Sequence, residues 1–185
     1  MKNEITGMKL RLIVMNFLQF AVWGAYLTSM GTYLFNIGLG AKIGLFYAMQ
    51  GIVSLFMPAI MGIIADRWVP AQKLYGFCHF MAAVFMVAAG WYGYVDGEAV
   101  NFGTLFTFYS LSVAFYMPTL ALTNSVAYTA LDKVKLDPVI AFPPIRIFGT
   151  IGFICSMLLT DILGFQNNYM QFFSCACFGV ILAIY

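Results

Sequence analysis

Ala141-Phe142-Pro143-Pro144-Ile145-Arg146-Ile147-Phe148-Gly149-Thr150-Ile151-Gly152-Phe153 sets the class of this protein. The run is apolar apart from Arg146 and Thr150, and no acidic residue occurs between Asp137 and Asp161. A guanidinium in hydrocarbon costs about 2.5–3.5 kcal/mol even on lenient insertion scales, so Arg146 is expected to face a bundle interior or a wet cavity. The rest of the chain has the same character: 63% hydrophobic, 18% aromatic and 9% charged. A soluble domain carries roughly a quarter charged residues, so this is read as an integral membrane protein. The formal charge of +2 includes no basic run, which excludes a nucleic-acid footprint. Cys78, Cys155, Cys175 and Cys177 fall in apolar stretches, and the sequence calls for no metal and no cofactor.

Outward from that run, apolar length and Gly, Pro and charge punctuation predict six spans, at about 10–36, 42–65, 72–95, 102–131, 140–163 and 167–185. The expected fold class is therefore an all-α membrane protein of six transmembrane helices, with residues 1–185 forming one bundle. Lys2, Lys9, Arg11, Arg67, Lys73, Lys133 and Lys135 share one side, opposite Lys42, Asp96, Glu98 and Asp161. The positive-inside rule then places the N-terminus in the cytoplasm. The first span carries no Ala-x-Ala cleavage site and is read as retained. The last ends at Ile184-Tyr185 with neither a basic flank nor a polar tail, the expectation being a fragment of a longer chain.

Within the spans, Arg146, Thr150 and Phe153 fall at i, i+4 and i+7, on one helical face. A fixed cation, a hydroxyl and an aromatic plate suit a flat, polar ligand, since Arg donates to carbonyl oxygens or stacks and Phe covers a ring. The alternative for Arg146 is an interhelical pin to a carboxylate. Gln19, Trp23 and Tyr26 share another face, where an amide and an indole either line the same cavity or serve packing. Tyr116, Thr119, Thr123 and Asn124, continued by Tyr128, are expected to hydrogen-bond across to the fifth span. His79 is a proton relay or a satisfied packing residue. Asp66-Arg67 stands at a membrane exit, either a conformational latch or a charged turn. Asp66, Asp132, Asp137 and Asp161 all lie at span ends.

The loop Gly62-Ile63-Ile64-Ala65-Asp66-Arg67 with Lys73 resembles the G-x-x-x-D-R loop between the second and third helices of the major facilitator superfamily, although Trp68-Val69-Pro70 replaces the usual continuation. A narrower resemblance is to the bacterial nucleoside:proton symporters of that superfamily. It rests on Phe17-Leu18-Gln19-Phe20 with Trp23-Gly24, Phe56-Met57-Pro58-Ala59, Cys78-His79, Tyr116-Met117-Pro118-Thr119-Leu120 and the run from Phe142 to Phe153. The resemblance implies the N-terminal half of a twelve-helix, alternating-access transporter that imports nucleosides with protons across a bacterial inner membrane. It implies nucleoside contacts at Arg146, Thr150 and Phe153, with the proton-coupling acids in a C-terminal half. The rival readings are a transporter of another polar solute, such as a sugar, and a non-transporting scaffold. The spans offer no paired carboxylates and no nucleophile-base pair, which argues against an enzyme.

Overall fold

A computed structural model describes residues 2–185 as an all-helical bundle. Its helices are α1 (Lys2–Gly24), α2 (Met30–Asn36), α3 (Ile43–Arg67), α4 (Ala71–Asp96), α5 (Phe102–Lys133), α6 (Pro138–Ile162) and α7 (Met170–Ile184). Five apolar segments are long enough to cross a membrane, and the helix of α7 is shorter.

Two expected boundaries shift. The first span, expected at 10–36, is a helix from Lys2 that breaks after Gly24 and resumes as α2. The early start places Glu4 in the first turn, where a carboxylate complements the helix dipole. Side chains of other helices reach the carbonyls of the break: Tyr47 Oη donates to Leu27 O at 2.7 Å, and Thr160 Oγ1 lies between Ser156 O at 2.9 Å and Ala25 O at 3.1 Å. The sixth span, expected from 167, becomes helical only at Met170 because Asn168 Oδ1 accepts from Met170 N at 2.8 Å and resets the start. Elsewhere the caps are legible: Asn101 accepts from Gly103 N at 2.8 Å and Asp137 from Val139 N at 2.9 Å, opening α5 and α6. The helix of α6 begins at Pro138 and carries Pro143 and Pro144 inside it.

The α1–α6 seam is set by glycine. A Cβ on Gly24 would strike Phe153 O and Ser156 Oγ, and one on Gly152 would strike the Phe17 backbone. The two backbones thus approach as closely as small-residue interfaces allow in membranes. On its other sides α1 meets α7 and α5, while α4 packs on α5 and α7, and α3 on α5. Outermost are α3 and α6, whose apolar windows are 11% and 28% buried against 50% for α4 and α5. Ile52, Leu55, Phe56 and Ile63 on α3, and Ile147, Ile151, Ile154 and Leu158 on α6, form bare apolar faces.

Because α1 lies directly on α6, it takes the polar side chains of α5. Tyr116, Thr119 and Thr123 point to α1 instead of the fifth span: Tyr116 Oη donates to Gln19 O at 2.7 Å, and Gln19 Nε2 donates to Thr119 Oγ1 at 2.8 Å. Asn124 and Tyr128 are exposed, the latter edge-on to Phe142 at 5.0 Å.

Candidate functional site

On α6 the helical repeat brings Arg146, Thr150 and Phe153 to one face, with Thr150 exposed and the other two half-buried. The Arg146 guanidinium lies over the Phe20 ring, Cζ 3.9 Å from its centroid. Gly149 makes this possible, since a Cβ there would strike both the Phe20 ring and Arg146 Nη1. Among the described residues no carboxylate answers Arg146. One face of the cation is stabilised by the aromatic quadrupole, and its in-plane N–H groups remain available to an acceptor.

Trp23 extends the wall. Its ring centroid lies 6.3 Å from Phe153, edge-on at 84°, 6.3 Å from Tyr116 and 6.4 Å from Phe20. The indole orientation is fixed from behind, where Trp23 Nε1 donates to Gln50 Oε1 at 3.0 Å and Gln50 Nε2 donates to Tyr109 Oη at 2.6 Å. Arg146, Thr150 and Phe153 therefore join Phe20 and Trp23 in one surface of cation, hydroxyl and aromatic plates. Neither Phe20 nor Gln50 stands out as a site residue in the sequence. The available signal for Gln50 is a lone amide inside an apolar span.

Gln19 turns the other way. It is fully buried, and its Oε1 accepts from Tyr75 Oη at 2.7 Å while facing His79 Nε2 at 2.8 Å. Thr123 Oγ1 also lies 3.1 Å from that oxygen but has its own acceptor in Thr119 O at 2.7 Å. Gln19 is thus the hub of a polar layer joining α1, α4 and α5. The same layer engages His79 as a packing partner, edge-on to Tyr75 at 4.6 Å.

Asp66 and Arg67 are both exposed at the end of α3. Asp66, with Arg11 and Lys133, lines a cleft of about 990 Å3 between the middle of α1, the first turns of α4 and the last turns of α5 and α7. The described residues contain no group of three or more His, Cys, Asp or Glu that could hold a metal ion.

Residues 6–185 match the family described as Nucleoside H+ symporter. The chain belongs to that family. Among its relatives, the nucleoside permease NupG of Escherichia coli (strain K12) is 38% identical over 182 residues, covering 97% of this chain and 42% of the permease. The xanthosine permease of the same organism is 39% identical over 178 residues, covering 95% and 41% respectively. A crystal structure of the nucleoside transporter NupG matches with a TM-score of 0.87 at 38% identity, over 96% of this chain and 42% of that one. The chain thus has the fold of the N-terminal portion of these transporters and spans 42% of the permease's length. It is a multi-pass membrane protein of a transporter family.

Proposed function

We propose that the chain is the N-terminal bundle of a proton-coupled nucleoside importer of a bacterial inner membrane, its N-terminus cytoplasmic, and that Arg146, Thr150 and Phe153 contact the nucleoside. The observation that carries this is the surface built by Arg146, Phe20, Trp23, Phe153 and Thr150, in which a cation without a carboxylate partner lies among aromatic rings. A nucleoside offers what that surface lacks: carbonyl and ribose oxygens to accept from the guanidinium and the threonine hydroxyl, and a flat base to lie against Phe153. Trp23 contributes to the aromatic wall, with Gln19 behind it as the structural hub.

The bare faces of α3 and α6 fit a second six-helix bundle, against which this one rocks so that the site opens to each side in turn. Every carboxylate of the spans lies near a helix end, so the residues that carry the proton belong to that second bundle. Asp66 and Arg67, exposed at the end of α3, act as a latch between the two bundles on the cytoplasmic side.

Uptake of radiolabelled uridine by cells expressing the complete gene tests the substrate class. Adenosine should compete and sugars should not, and a protonophore should abolish accumulation. Uptake blocked by a sugar but not by adenosine overturns the nucleoside assignment.

A further inference from the structure

Enclosed between α1, α4, α5 and α7 is a cavity of about 10 Å3 whose lining includes Tyr26, His79, Ser112 and Tyr116. Two of these residues point buried polar atoms at no protein partner, namely Tyr26 Oη and His79 Nδ1. Both side chains are almost fully buried, Tyr26 at 1% exposure and His79 at 0%. Unpaired polar atoms in such a position are costly, and native structures rarely leave them so.

The surrounding bonds fix what each atom requires. Thr119 has one hydroxyl proton, which goes to Tyr116 O at 2.6 Å, so Thr119 Oγ1 must accept from the Gln19 group that faces it at 2.8 Å. That group is therefore the amide nitrogen, and the Gln19 oxygen faces His79 Nε2. An oxygen that only accepts requires a hydrogen on Nε2. In the neutral ring Nδ1 is then a lone pair in need of a donor. Tyr26 Oη has no partner within hydrogen-bond distance either, and its hydroxyl hydrogen is free to meet an acceptor in the cavity. The two atoms do not reach one another within hydrogen-bond distance.

We propose that this cavity is a binding site for one internal water, which gives a hydrogen to His79 Nδ1 and accepts one from Tyr26 Oη. Its second hydrogen has an acceptor in Ser112 Oγ, whose own proton is spent on Ala82 O at 2.8 Å. Three partners are the usual complement of a buried water, and a volume near one probe sphere is the least that holds one. The water completes the polar layer. It fixes the His79 tautomer that the Gln19 oxygen requires, and it ties Tyr26, within the break between α1 and α2, to α4 and α5.

The test is a high-resolution structure of the full-length protein, together with solid-state NMR of the membrane-embedded protein labelled with 15N-histidine. A density peak within hydrogen-bond distance of both Tyr26 Oη and His79 Nδ1 is expected. His79 should be protonated on Nε2 alone and receive magnetisation from water protons at Nδ1. Its signals are identified by their loss in His79→Gln and, independently, by the shift that Tyr26→Phe causes. Tyr26→Phe should weaken the water contact and leave the Nε2 proton in place. Continuous protein density in the cavity, a proton on Nδ1, or no transfer from water to Nδ1 overturns the proposal.

Discussion

Replacing Gln19 by Leu preserves the volume of the side chain while removing its amide, so the cost falls on the partners left behind. Tyr75 Oη and His79 Nε2 each lose an acceptor at 2.7 and 2.8 Å, and Thr119 Oγ1 loses a donor at 2.8 Å. Side-chain hydrogen bonds in membrane proteins average about 0.6 kcal/mol with a ceiling of about 1.7, and the three together therefore contribute about 2–5 kcal/mol. The upper half of that range is expected, because Tyr75 at 4% exposure and His79 at 0% are left with buried polar atoms that lack their partner. Reversible unfolding of the purified full-length protein in mixed micelles would measure the loss. A double-mutant cycle with Tyr75→Phe should show a coupling of about 1 kcal/mol. A Gln19→Leu protein as stable as the parent but unable to bind nucleoside would refute the hub and make Gln19 a ligand contact.

Two further outcomes follow from the same geometry. Gly152→Val should destabilise by about 1–3 kcal/mol through overpacking against the Phe17 backbone, seen as a lower melting temperature. Gly44→Ala, which meets nothing within 4 Å, should not. Phe20→Leu removes the ring beneath Arg146 and should weaken uridine binding about fivefold, from a cation–π contribution of about 1 kcal/mol at a half-buried site, with Phe20→Tyr retaining affinity in calorimetric titration.

The α6 face was legible in the sequence because two local signals coincide there: the cost of a charge in an apolar run and a spacing that fixes one side of a helix. Arg146, Thr150 and Phe153 stand as that spacing predicts. The aromatic support of Arg146 was not legible, because Phe20 reaches it only through the approach of α1 to α6 at Gly24 and Gly152, a matter of packing between distant segments. Gln19 shows the limit of face-counting. It shares a helical side with Trp23, yet α1 is enclosed by α5, α6 and α7, so neighbouring positions on one side meet different surroundings. The break after Gly24 has no proline to announce it. Side chains from α3 and α6 reach its carbonyls, and these a local reading of residues 25–29 does not include.

The central claim is that the open face around Arg146 takes a nucleoside, and equilibrium binding of uridine to the purified full-length protein and to its Arg146→Ala variant tests it most directly. Arg146→Ala should lose at least tenfold in affinity, about 1.4 kcal/mol, with the melting temperature of the unliganded protein retained. Unchanged uridine affinity, with the variant instead losing folded yield, would contradict it and make Arg146 an interhelical pin.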